Sequence, residues 1–395
     1  MIFGFLFVTE RIIMPKAIVI VLDGVGVGGA PDEAKYNDQG SNTLGNLSRE
    51  LNGIDLPNMQ QMGLGNIIPI EGVPPTKSPT ASWGNMTEQS EGKDSTSGHW
   101  ELGGVILDQA MPTYPDGFPP EIIEKFIEAI GVDGILGNKV ASGTVIIEEL
   151  GQQHIETGLP IVYTSADSVF QIAVHMDIVP LPKLYEWCEK ARTILTGEHA
   201  VSRVIARPFA TNENGEFYRT VDRKDFSLKP FHPTILELAQ DKGYVVTGIG
   251  KIEDLYAFQG LTRSYHTHTN DEGIRKIIEI AAQQENGLVF ANLVDTDQLY
   301  GHRNNCEGFY GSLREFDDEL PAIIEALRPG DIMFITADHG NDPTTPSTDH
   351  SREMVPIIAF GDAINSVDLG TRQSFADLGQ TIADFLKTKS TRNGV

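Results

Sequence analysis

The stretch ITADHGNDPTTPSTDHSRE, residues 335–353, sets Asp338 beside His339 and returns to a further histidine, His350. The run DIMFI before it and MVPIIAF after it are apolar and β-branched, and each predicts a buried strand. Between them lie Gly, Asn, Asp, Pro, Thr and Ser, the composition of a long ordered loop. A carboxylate and two histidines therefore stand where a strand gives way to a loop. In open α/β sheets this is where ligands bind. A capped turn with surface histidines would read the same way, so the choice falls to the rest of the chain.

At 395 residues the chain is long enough for two domains. Its 40% hydrophobic content is ordinary for a globular protein. The net charge of −25 argues against nucleic acid and anionic membranes as partners, since both are captured by basic patches. Two cysteines, Cys188 and Cys306, make no disulfide framework and suit a reducing cytoplasm. The apolar run Ile2–Val8 is too short to span a membrane and lacks a basic flank and cleavage site, so no signal peptide is expected. Met14 offers an alternative start, leaving residues 1–13 as an extension without an assigned role.

Lys16–Leu22 predicts the first strand, ending at Asp23. Gly24, Gly26 and Gly29 then spell the G-x-G-x-x-G of dinucleotide sites. That pattern requires the glycines to open an amphipathic helix. Here Ala30, Pro31 and Asp32 follow, and no helix is expected, so NAD binding is not the expected reading. Asp23 reads better as a ligand at a strand end. Residues 94–99, DSTSGH, combine a carboxylate, three hydroxyls and an imidazole. They read either as a capped helix N-terminus or as a nucleophile placed where backbone N–H groups favour anions. From about Leu107 a proline-rich crossing leads into a block of roughly 120 residues, the size of a small α+β domain. Its strands carry Arg203, Arg207 and Arg219, suited to structural pairing or to bidentate phosphate recognition. A strand ending near Gly250 brings Lys251. His266 and His268 read as a polar surface pair, because no carboxylate cluster adjoins them. A strand at Leu288–Val294 leads to Asp297 and His302, and helices are expected at 309–327 and 374–387.

Asp23, Asp297 and Asp338 thus each follow a strand, with His302, His339 and His350 beside two of them. Mixed Asp and His donors suit Mn²⁺ or Zn²⁺ better than Mg²⁺. Six ligands exceed what one ion takes from a protein, so a pair of ions about 3.5–4 Å apart is implied. A hydroxyl such as Ser95 near them would be activated for attack on phosphorus.

In the motifs LDGVGVGGAPD, GKDSTSGHWE, ASGT, YTSADSVFQIA, RVIARPF, NLVDTDQLYGHR and ITADHGNDPTTPSTDHSRE, the chain resembles the phosphopentomutases of the alkaline phosphatase superfamily from about Ile18 to Leu386. The resemblance implies an α/β fold: an alkaline-phosphatase-like three-layer core with a mostly parallel sheet, formed by 14–107 and 229–395, and an inserted α+β cap domain over 108–228. It implies one Mn²⁺ on Asp23, Asp338 and His339, and another on Asp297, His302 and His350. The family's phosphorylated residue follows Asp in G-K-D-T; here that position is Ser95, with Thr96 as the rival. Asp167 would hold ribose hydroxyls, and Arg203, Arg219 and Lys251 the distal phosphate. The implied reaction interconverts ribose 1-phosphate and ribose 5-phosphate, and their 2-deoxy forms, in cytoplasmic nucleoside salvage. It runs through a phosphoenzyme primed by a bisphosphorylated sugar. Small pentose phosphates would be the partners; oligomeric state is not given by the sequence.

Overall fold

The computed structural model describes residues 15–395 except 166, 284 and 363. The extension 1–13 lies outside the described residues. Lys16–Leu22 is a strand buried along its whole length. Such a continuous apolar run belongs inside a parallel sheet covered on both faces, and there it lies. The larger sheet has eight strands in the order 263–265, 245–249, 287–293, 16–22, 332–336, 355–360, 82–86, 368–372. The first five run parallel, while 355–360 is antiparallel to both its neighbours. Helices 270–281 and 306–326 pack against each other, and helices 235–241, 376–386 and 95–102 form a second group; both groups touch the sheet. The result is three layers. Lys16, although buried, directs its ammonium to the carbonyls of Ile280 and Ala281 at the end of helix 270–281, where the helix dipole favours a cation.

A separate six-stranded sheet runs 136–140, 161–164, 169–175, 203–211, 217–219, with 224–227 also beside 203–211. Phe170, Ile172 and Val174 alternate onto one face and pack with Phe126 and Trp187. Ala173, Tyr163 and Phe209 join Ile146 and Ile147 on the other. These two clusters are separate from the core around the larger sheet.

Two edge strands escape the sequence pattern. Neither Leu136–Val140 nor Asp368–Arg372 is predicted from the sequence. Both are mostly exposed, so neither carries the apolar alternation that marks a strand. The first also holds Asn138 at a left-handed φ of 58° within a bulge.

Candidate active site

Register brings the ligand candidates together. In the parallel ladder Leu22 stands opposite Leu293, and Val21 opposite Thr336. The three chains therefore leave the sheet at one level. Asp23 follows directly, Asp338 two residues past its strand, and Asp297 in the wide π-helical turn Thr296–Tyr300.

Asp23, Asp338 and His339 offer ligand atoms within 4.8 Å of one another, and so do Asp297, His339 and His350. His339 Nε2 lies 3.4 Å from both Asp23 Oδ1 and Asp338 Oδ2. Asp297 has His302 Nε2 at 3.3 Å on one oxygen and His350 Nε2 at 3.3 Å on the other. The rings of His339 and His350 stack at 3.9 Å. His339 is thus shared between the two groups, where the sequence assigned it to one.

The donor chemistry fits a pair of divalent cations. Nδ1 of His302 is 2.7 Å from the Thr348 carbonyl, and Nδ1 of His339 is 3.1 Å from that of Gly340. A carbonyl only accepts, so Nδ1 carries a proton, and Nε2 is the atom that would present a lone pair to a cation held among the carboxylates, the arrangement metal-binding histidines adopt. Asp23 Oδ1 and His350 Nε2 are buried without hydrogen-bond partners. Burial and then the carboxylates of Asp338 and Asp297 push Asp23 up to about 7. Burial alone would lower His350, but the Asp297 carboxylate beside it raises it to about 9. Three carboxylates in so dry a place need cations to stay ionised together.

Ser95 opens helix 95–102, with Asp94 as its cap: the Asp94 carboxylate accepts from the N–H of Thr96 (3.0 Å) and of Ser97 (3.2 Å). So the capped-helix reading of DSTSGH holds. The same geometry sets Ser95 Oγ 3.1 Å from His339 Nε2. Ser95 and Thr96 both line a cavity of about 850 Å³ that also reaches Asp297, His302 and His350.

From the second sheet, Asp167, Arg203, Arg223 and Lys224 line the same cavity, facing Lys251 from the larger sheet. Arg203 lies 3.5 Å from Asp225 and 3.9 Å from Asp167. Arg219 is not brought here; it lines a smaller cavity with Arg207 and Thr220. Arg223, bonded to both oxygens of Asp225 at 2.8 Å, borders both spaces. The hairpin register explains the exchange: Arg219 lies opposite Phe209, toward the far end of strand 203–211 from Arg203, which lines the cavity. His266 and His268 are an exposed pair, as expected, with His266 on the cavity rim.

Supporting groups came from nowhere in the sequence pattern. Asn292 donates to Asp23 (3.0 Å) and Asn341 to Asp297 (2.6 Å). Arg352, buried against Glu88 and Asp32, donates to the carbonyls of Ser90 and Gly92 and so ties the His350 loop to the approach to Ser95.

A family model described as the metalloenzyme superfamily matches residues 15–390. A phosphopentomutase of Dictyoglomus thermophilum is 57% identical over 382 residues, 96% of this chain and 97% of that protein. One of Acetivibrio thermocellus is 52% identical, over 96% of this chain and 98% of that protein. The chain belongs to the phosphopentomutase family. Among solved structures, the PH0037 protein of Pyrococcus horikoshii is 15% identical, with a TM-score of 0.51 over 97% of this chain and 100% of that one. That likeness concerns the fold, which is the alkaline-phosphatase-like α/β architecture the resemblance implied. Members of this metalloenzyme superfamily depend on divalent metal, and the two donor groups agree with that. Among the described residues no helix is long and apolar enough to cross a membrane.

Proposed function

We propose that the chain is an isomerase that interconverts α-D-ribose 1-phosphate and D-ribose 5-phosphate, and their 2-deoxy forms, with Ser95 carrying the phosphoryl group. Full-length identity to phosphopentomutases supports the reaction. The observation that carries the role of Ser95 is its Oγ, 3.1 Å from His339 Nε2 at the mouth of both donor groups. Asp23, Asp338 and His339 would hold one Mn²⁺, and Asp297, His302 and His350 the other, with His339 near both. When bound, the ions would lower the pKa of the serine hydroxyl and offset charge on the transferring phosphoryl group.

The phosphorylated Ser95 would donate to the free hydroxyl of a sugar phosphate. The P–O bond to Ser95 breaks, one to the sugar forms, and the proton of the sugar hydroxyl passes to the released Ser95 Oγ. The 1,5-bisphosphate would turn over within the cavity. Ser95 Oγ would then take the other phosphate, releasing the isomer. A bisphosphorylated sugar from outside would prime unphosphorylated enzyme. The helix N-terminus at Ser95 favours phosphate there. Asp167 would hold the ribose hydroxyls. Arg203, Lys251 and Arg223 would take the distal phosphate, Arg223 standing where the sequence pointed to Arg219. Residues 108–228 would act as the cap over the core 14–107 and 229–395, excluding water that would otherwise hydrolyse the phosphoenzyme. The two unpaired cysteines fit a cytoplasmic setting.

The test is turnover of ribose 1-phosphate by purified protein with Mn²⁺. Ribose 5-phosphate should form with little inorganic phosphate. Abundant phosphate without isomer would make the chain a phosphatase.

A further inference from the structure

His99 lies fully buried in the helix that Ser95 opens, and no step above uses it. Its Nδ1 is 2.8 Å from the carbonyl of Ser95 and 3.1 Å from Asp338 Oδ2. The carbonyl can only accept, so Nδ1 bears a proton and donates it to Ser95. Asp338 Oδ2 has no partner in hydrogen-bond geometry, so it feels the imidazole N–H from the side. One ring therefore touches both the backbone of the proposed nucleophile and a proposed metal ligand.

The surroundings lock that ring. A Cβ on Gly98 would stand 2.0 Å from the Asp338 carbonyl oxygen, so the helix backbone rests directly on Asp338. The Tyr256 hydroxyl donates to the His99 carbonyl from the far side. Phe290 flanks the ring at 6.2 Å. Nε2, by contrast, is buried with no partner at all. A leucine would fill this volume without an orphaned nitrogen, which is costly in a dry site. The retained group must be the one at Nδ1.

We infer that His99 is a positioning residue: through Nδ1–H it fixes the first turn of helix 95–102 against Asp338, and so fixes the distance from Ser95 Oγ to the metal site. This rests on Ser95 as the phosphoryl acceptor. The side-chain nitrogen of Asn can replace Nδ1, whereas that of Gln reaches the place of Nε2. His99→Asn should therefore keep most of the isomerase kcat. His99→Gln and His99→Leu should lose on the order of 10²-fold in kcat, the cost of a misplacement of about 1 Å, with KM little changed. A role in packing alone would not separate Asn from Gln.

A second measurement needs no metal and no turnover. ¹⁵N correlation spectra of the metal-free protein should show His99 protonated at Nδ1. A ring protonated only at Nε2, or equal kcat for the Asn and Gln variants, overturns the role of His99. Wild-type protein whose phosphate sits elsewhere than Ser95 overturns instead the reading on which this one rests, and leaves the tautomer as found.

Discussion

The carboxylate of Glu353 occupies the space where a Cβ on Gly26 would be, with Oε2 only 2.1 Å from that position. The N–H groups of Gly28 (3.1 Å) and Thr43 (2.9 Å) donate to this oxygen, and the hydroxyls of Thr43 (2.8 Å) and Ser351 (2.7 Å) donate to the other. The glycine loop after Asp23 thus wraps a buried carboxylate of the His350 segment. A dinucleotide is not needed to explain it. Gly26→Ala should destabilise the protein, because four hydrogen bonds keep Glu353 from moving aside. Overpacking of this kind costs about 1–3 kcal/mol, and chemical denaturation should show a loss in that range.

Ser95→Ala should abolish phosphoenzyme formation, read as the loss of one phosphate by intact-protein mass. Thr96→Ala should retain it. The opposite result would move the nucleophile by one residue.

Removal of divalent ions with a chelator should abolish isomerisation, and Mn²⁺ should restore it. Because ions bind the folded state, Mn²⁺ at about 100 times its Kd should add about 2.7 kcal/mol of stability. A thermal melt with and without Mn²⁺ checks this; an unchanged midpoint would speak against a site built by Asp23, Asp297 and Asp338.

Arg223→Gln should raise KM for ribose 5-phosphate about tenfold, a typical loss of one charge-assisted contact. Arg219→Gln should leave KM within about twofold, since Arg219 lines a different space. Steady-state kinetics on the two variants separates them, and a larger effect at Arg219 would return the phosphate to the position the sequence suggested.

His154 makes one pH dependence. Its Nδ1 is 2.7 Å from the Leu159 carbonyl, and its Nε2 accepts the His175 N–H at 2.9 Å. The neutral ring satisfies both, and burial holds its pKa below the usual histidine value. Below about pH 6.5 the unfolded chain binds a proton here that the folded one does not. Stability should therefore fall as pH drops through that value and level off above it. Urea unfolding followed by Trp187, the one tryptophan between 108 and 228, reads this region. His154→Leu should flatten the slope and lower the plateau by about 1–3 kcal/mol, because the His175 N–H loses its acceptor.

The strands that carry Asp23, Asp297 and Asp338 were legible in the sequence because each is a continuous apolar run, and burial on both faces demands that pattern. The ligand candidates were legible because they follow those runs directly. His302, His339 and His350 stand within reach of the same strand ends for the same reason. The edge strands 136–140 and 368–372 were not, since exposed strands need no apolar side chains.

What only the tertiary structure decided is every relation across the chain. The register of three parallel strands makes one site of Asp23, Asp297 and Asp338. The stacking of His339 on His350 sets His339 between both donor groups. Arg223 reaches the cavity and Arg219 does not, because strand pairing sets Arg219 opposite Phe209, toward the far end of strand 203–211 from Arg203. Glu353 under Gly26, and His99 between Ser95 and Asp338, join residues hundreds of positions apart. Local patterns record what a residue needs from water; they hold no record of which distant residue will meet that need.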